Sequence, residues 1–226
     1  MSFSIAIDGP SASGKSVLAM RIARHLQMIH INTGSMYRAV AYVVAQKELS
    51  IESDLDEILT MIDKMDLQLK ADQKVFLNQV DITLALREET ISLLASDISK
   101  NRWVREKLVE KQQAMAQQMD CVMDGRDIGT VVLPQAQVKI FLTASTQVRA
   151  MRRFLELKAR GLNPQFEELK QDLMVRDYQD RHRQESPLRP AEDAIIIDTS
   201  ALSLDEVFDE ILIIIEKKKK GVVTHD

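Results

Sequence analysis

The 226 residues set 30 lysines and arginines against 34 aspartates and glutamates, a formal charge of −4, which argues against a general nucleic-acid binder. The length suits one large α/β domain, or a core domain carrying small inserts. A lone cysteine, Cys121, excludes an intramolecular disulfide and a cysteine-held zinc, and His25, His30, His182 and His225 show no ligand spacing.

The N-terminus MSFSIAIDG has neither the basic segment nor the long apolar stretch of a signal peptide. FSIAID (3–8) reads as a buried strand ending at Gly9. Leu18, Ile22 and Leu26 recur every four residues and predict a helix over 15–27. MIHI (28–31) predicts a second strand, and 35–47 a second helix with Met36, Val40 and Val43 on one face. Leu55, Ile58, Leu59, Ile62 and Met65 predict an acidic amphipathic helix. Residues 67–83 alternate apolar and polar positions between polar breaks, as small antiparallel strands do. A helical period covers 86–118. CVMD (121–124), VKIFLT (138–143) and AIIID (194–198) read as buried strands, and 145–160, 166–184 and 203–219 as helices. Ser203 and Glu206 form a capping box for the last of them. Strands alternating with helices predict a parallel sheet covered on both faces, with 60–85 as an insert and 155–170 as a mobile flap. The apolar run ILIII (211–215) is too short to span a bilayer, and Lys217–Lys220 after it suit a helix C-terminus. A soluble, cytosolic-type protein is expected.

GPSASGKS (9–16) fits G-x-x-x-x-G-K-[ST], leaving a predicted strand and opening a predicted helix. Gly9, Pro10, Ser11, Ala12, Ser13, Gly14, Lys15 and Ser16 are therefore candidate ATP-binding residues. The glycines let backbone N–H groups close around phosphate oxygens, and the helix N-terminus adds partial positive charge. Lys15 can reach the β- and γ-phosphates, and the Ser16 hydroxyl can ligate magnesium. Triphosphate binding alone leaves a GTPase, an ATP-driven machine and a small-molecule kinase open. No guanine-reading N-K-x-D stretch is present, and Asp124 is followed by Gly125 and Arg126 where a motor ATPase carries a glutamate. A phosphoryl transferase with an anionic second substrate remains.

Eight of the 15 arginines fall between Arg149 and Arg189. Arg149, Arg152 and Arg153 share one helical face, and Arg176, Asp180 and Arg183 another. Gly161 and Pro164 lie between the two faces and would let a lid move. Two readings stand: solvated helices laced with Arg–Asp pairs, or an anion site that closes over ATP. The phosphate cradle in the same chain favours the second. Phosphoryl transfer asks the protein mainly for positioning and charge neutralisation, and the rigid, always-charged fork of arginine suits both. A lid would also keep water from competing with the acceptor.

IAIDGPSASGKS, NTGSMYRAVA, DGRDIGTVVLP, KIFLTAS, RDYQDRHRQESPL and AEDAIIIDTS, in this order from residue 5 to about 213, resemble the signature segments of bacterial cytidylate kinases, a family of P-loop nucleoside monophosphate kinases. The resemblance implies an α/β fold: a central parallel five-stranded sheet flanked by helices, a small α+β insert that binds the monophosphate, and a short helical lid. Residues 1–34, 86–152 and 180–226 would form the core, 35–85 the monophosphate-binding region and 153–179 the lid. The implied reaction takes the γ-phosphoryl group of ATP to CMP or dCMP with Mg2+, giving ADP and CDP or dCDP, in pyrimidine nucleotide metabolism. The implied setting is a cytoplasmic monomer with no nucleic-acid or membrane partner. Kinases for UMP or AMP, and a non-catalytic ATP-binding regulator, are the alternatives.

Carried onto matching positions, the family pattern puts Thr33, Arg38, Arg126 and Arg183 around the acceptor phosphate and Ser96, Arg105 and Asp127 at the cytosine. Arg176 and Asp180 would meet the sugar, with Arg176 also near the phosphates, and Arg149 and Arg153 would sit in the lid above ATP. Lys15, Arg126, Arg176 and Arg183 make up the implied catalytic set, with Ser16 on magnesium. Cytosine offers an amino donor beside two acceptors, which a carboxylate and an arginine complement, whereas uracil reverses the pattern at position 4. Apart from the resemblance, Ser96 reads equally as an exposed helix serine and Arg105 as a surface partner of Glu106, while Tyr37 and Trp103 read as core or edge aromatics. Asn32 stands where many relatives carry Asp, and Arg181 where many carry Ser.

Overall fold

The computed structural model describes residues 2–70 and 74–222. Residues 71–73, within the predicted antiparallel segment, and 223–226, with His225, lie outside the described residues. Five parallel strands form the main sheet: β1 (Ser4–Asp8), β2 (Ile29–Asn32), β6 (Cys121–Gly125), β7 (Val138–Thr143) and β8 (Ile195–Asp198), in the order β2-β6-β1-β7-β8. All five residues of β1 and of β6 are buried, which is why these strands read as apolar runs rather than alternating ones.

The side chains of β1 nevertheless part to two faces, as a period of two requires. Ile5 and Ile7 join Leu18, Ala19 and Ile22 of α1 (Lys15–Leu26) and Val207, Ile211 and Ile215 of α8 (Leu204–Val222) in one core. Ala6 faces the other core, which holds Met36 and Val40 of α2 (Thr33–Gln46), Ile58 and Ile62 of α3 (Leu55–Lys64) and Leu108 of α5 (Arg102–Gln118). The sheet is thus covered on both faces, as the alternation of elements predicts. The capping box of α8 forms: Ser203 N donates to Glu206 Oε2 at 2.8 Å and Glu206 N to Ser203 Oγ at 3.2 Å.

β3 (Leu67–Leu69), β4 (Val75–Leu77) and β5 (Val80–Asp81) build the small antiparallel sheet expected of the insert. Asn78 and Gln79 join β4 to β5 with positive φ of 47° and 69°, the two-residue turn that matches strand twist. Among the described residues, no helix is long and apolar enough to cross a membrane.

Several boundaries differ from the sequence reading. The helix predicted over 86–118 is broken into a 3-10 turn (Ala85–Arg87), α4 (Glu89–Ile98) and α5. Asn101 starts α5 by accepting from the N–H groups of Trp103 and Val104. α2 begins two residues early because the Asn32 side chain caps it, accepting from Ser35 N at 2.8 Å. A π-helical turn (Ile128–Val132) follows β6, its first two N–H groups, of Ile128 and Gly129, each bound 2.8 Å from the Asp8 carboxylate. α7 (Phe166–His182) stops two residues early, so Arg183 has extended backbone at its end. The predicted flap comprises the end of α6 (Thr146–Ala159), a turn and the start of α7, with Gly161 at φ +79° in the turn.

Candidate active site

The carboxyl ends of β1, β2 and β6 lie level: Asp8 is paired with Gly125, and Asn32 with Asp124. Ligands of open α/β sheets bind at such an edge. The loop from Gly9 to Gly14 leaves β1 here. Gly9 has φ +152°, and a Cβ on it would stand 2.1 Å from the Leu142 carbonyl oxygen of β7, so only glycine fits. Lys15 opens α1, whose first turn carries no acid to compete with an anion. Its ammonium donates to the Pro10 carbonyl at 3.1 Å. Burial, then repulsion from Arg126, holds Lys15 well below its usual range.

Ser11 is gripped twice. Arg126 Nη2 donates to its hydroxyl at 2.7 Å, and Arg149 Nη1 to its carbonyl at 3.1 Å. Each arginine is held in turn by an aspartate of α7, Arg126 by Asp180 at 2.8 Å and Arg149 by Asp177 at 3.1 Å. Arg149 also donates to the Ala144 carbonyl and the Thr146 hydroxyl, so all its N–H groups face protein acceptors. It lies buried at the first turn of α6 against the loop backbone. Arg152 ties the same loop to the segment just after β8, reaching the Thr199 hydroxyl at 2.9 Å, its carbonyl at 2.7 Å and the Ser13 carbonyl at 3.4 Å. Arg153 turns to Glu89 and Glu156, both at 3.0 Å.

Cations crowd beside this loop. Burial, then Arg126, pushes Arg176 down to about 10, although Asp180 opposes the shift. Burial, then Arg126 and Arg153, lowers Arg38. Burial and Arg105 lower Arg183. Buried guanidinium nitrogens without a hydrogen-bond partner, Arg105 Nε, Arg176 Nε and Arg183 Nη2, belong to this cluster. Such orphan donors are costly unless something accepts from them.

Arg105 and Asp127 form a closed ion pair, their side chains 5% and 8% exposed, with Arg183 Nη2 3.9 Å from the other Asp127 oxygen. The Tyr37 ring centroid lies 5.7 Å from the Arg105 guanidinium. Thr33 donates its hydroxyl proton to the Asp124 carbonyl at 2.9 Å. Ser96 is half-buried on α4, its carbonyl accepting from the Ser99 hydroxyl at 2.7 Å.

The Asp124 carboxylate, at the end of β6, meets Ser16, His30 and Asn32. Ser16 donates to Oδ2 at 2.6 Å, His30 Nε2 lies 2.7 Å from Oδ1, and Asn32 Nδ2 reaches Oδ1 at 3.0 Å. Burial opposes its charge, but His30, Lys15 and Ser16 together hold it below the usual carboxylate range. No three His, Cys, Asp or Glu among the described residues cluster to hold a metal unaided. Magnesium commonly takes only one or two protein oxygens beside phosphates and water, and the hard oxygens of Ser16 and Asp124 fit that need.

A family profile described as cytidylate kinase matches residues 5–217. The chain belongs to the cytidylate kinase family. Relatives described as cytidylate kinases include one from Caldicellulosiruptor bescii, 46% identical over 222 residues, 97% of this chain and 98% of that one. One from Lactobacillus gasseri is 45% identical over 96% of this chain and 95% of its own. One from Streptococcus pneumoniae is 46% identical over 95% of this chain and 97% of its own. The resemblance drawn from the six segments is borne out, and so is the fold it implied.

Within this cytidylate kinase family member, Lys15, Arg126, Arg176, Asp180 and Arg183 come together on the loop side of the sheet, and Arg105 meets Asp127 directly. Arg153 is paired with Glu89 and Glu156, yet lies close enough to Arg38 to help lower it. Sequence reasoning passed over Asp124, His30 and Asp177 as site-builders, and noted Asn32 only as a departure from its relatives. Asp124 carried a readable signal, an apolar strand ending in aspartate. His30 and Asp177 carried none, because each acts through a partner, 94 and 28 residues away respectively.

Proposed function

We propose that this chain transfers the γ-phosphoryl group of ATP to CMP, and to dCMP, releasing ADP and CDP or dCDP. One observation carries the reading: Lys15, Arg38, Arg126, Arg176 and Arg183 converge beside the phosphate loop, with buried guanidinium nitrogens left unpaired. A non-catalytic ATP binder would have no use for that second anion site.

Residues 9–16 cradle the ATP phosphates, with Arg153 completing the donor side and Arg149 fixing the loop. Thr33, Arg38, Arg126 and Arg183 take the acceptor phosphate. Arg176 and Asp180 take the sugar, and Ser96, Arg105 and Asp127 read the cytosine. Lys15, Arg126, Arg176 and Arg183 neutralise the charge that spreads over the phosphoryl oxygens in transfer, which is the main work of such a site. No side-chain base is needed, because the attacking phosphate oxygen already carries charge. Ser16, with Asp124 beside it, would hold magnesium, which would supply further charge neutralisation. Residues 1–34, 86–152 and 180–226 act as core, 35–85 as acceptor region and 153–179 as lid, in a cytoplasmic monomer of pyrimidine nucleotide metabolism.

An ADP-release assay with CMP, dCMP, UMP and AMP tests the reading. Turnover is expected with CMP and dCMP; no turnover with either, or faster turnover with UMP or AMP, overturns it. Lys15→Met is expected to leave almost none. Asp127→Asn is expected to relax discrimination against UMP, and unchanged selectivity would count against its base-reading role.

A further inference from the structure

Two donors on the Asp124 carboxylate come from one strand. His30 and Asn32 stand two residues apart on β2, and hence on the same face, with Asn32 in register with Asp124. An ionised carboxylate only accepts, so His30 Nε2, 2.7 Å from Oδ1, carries the hydrogen. Asn32 Nδ2 is spread over three oxygens, Oδ1 at 3.0 Å, Oδ2 at 3.2 Å and Ser16 Oγ at 3.1 Å, so it cannot hold the carboxylate alone. His30 makes the shortest contact to Oδ1, and Ser16 the shortest to Oδ2, at 2.6 Å. The Ser16 hydroxyl has one proton and two lone pairs. Its proton goes to Asp124 and one lone pair receives Asn32, which leaves one lone pair for a cation.

We propose that His30 is a positioning residue for magnesium-ATP: with Asn32 it fixes Asp124, so that the Ser16 hydroxyl proton is held on the carboxylate and the Ser16 oxygen stays open to the ion. This deepens the functional reading above and rests on its magnesium-ATP part. His30 holds Asp124 from the edge strand β2, its side chain only 12% exposed.

The test compares the parent chain with His30→Leu, which removes the donor, and His30→Gln, which restores a neutral one. Thermal unfolding is followed while Mg2+ is titrated at fixed ATP without CMP, with ATP alone as reference, and KM for CMP is measured separately. His30→Leu is expected to raise the Mg2+ concentration for half of the added stabilisation by about tenfold or more, the usual scale for losing a partner of a metal ligand. Stabilisation by ATP alone and KM for CMP are expected to hold, and His30→Gln to recover to within about threefold of the parent. A parental Mg2+ titration in His30→Leu overturns the proposal. So does an equal loss in ATP-alone stabilisation and KM, or a glutamine variant as poor as leucine. If His30→Leu does not fold, the smaller, strand-favouring His30→Val takes its place with the same outcomes. A parent chain that takes up magnesium-ATP yet leaves CMP unphosphorylated would overturn the functional reading instead.

Discussion

At Asp8, burial and hydrogen bonding pull in opposite directions. Burial pushes the carboxyl up to about 7, while the N–H groups of Gly129 and Ile128 pull it down and the Asp127 charge adds to the rise. Between the ordinary carboxylate value near 4 and about 7, the folded chain then holds a proton that the unfolded chain has released. Stability therefore falls as pH rises through that window. Asp8→Asn imitates the neutral form and removes the slope, so its urea midpoint relative to the parent is expected to improve from pH 5 to about pH 7 and to level off above it. A constant difference would show that Asp8 ionises like an exposed carboxylate. Arg183→Lys tests the other end of the site. Its loss of the planar fork is expected to lower kcat more than it raises KM for CMP. A change confined to KM would show that Arg183 only binds. At this scale the motif residues Lys15 and Ser16 were legible because their spacing is a local property. Asp8 was not, since its partners lie 120 and 121 residues further along the chain.

Under the proposed site assignment, helix α5 would join stability to substrate reading through its first turn. Asn101 caps it with bonds of 3.0 Å to Trp103 N and 3.2 Å to Val104 N, and Arg105 reaches Asp127 from the next position. Asn101→Ala is expected to cost about 1 kcal/mol in a urea titration. It should also raise KM for CMP more than it changes kcat, because Arg105 loses its footing; an unchanged KM would separate cap from site. The break before α5 was hard to read because Ile98, Val104 and Leu108 face one core, so the apolar period runs on across it. The π-helical turn after β6 had no sequence template, since the Asp8 carboxylate sets it from another strand.

Across the whole molecule, the strands and most helices were legible, because apolar runs and four-residue periods are written locally, although β8, read as buried, leaves Ile195 and Ile196 exposed at the sheet edge. The order β2-β6-β1-β7-β8 was not, since parallel pairing joins distant segments. That order gathers Lys15, Arg38 and Arg176 around Arg126, whose charge adds to burial in lowering each of the three. Without nucleotide, the protein should accordingly respond to a doubly charged anion beyond simple screening. Millimolar sulfate is expected to raise Tm more than sodium chloride at equal ionic strength, with the excess reduced in Arg126→Gln. Equal responses to the two salts would reduce the effect to screening.

The double grip on Ser11 has a thermodynamic side. Asp177 and Asp180 of α7 hold Arg149 and Arg126, and these hold the carbonyl and hydroxyl of one loop residue. Under the proposed site assignment, any shift of α7 on acceptor binding would therefore be transmitted to the loop that meets the donor. Such coupling is reciprocal: by whatever factor one nucleotide alters the binding of the other, the second alters the first by the same factor.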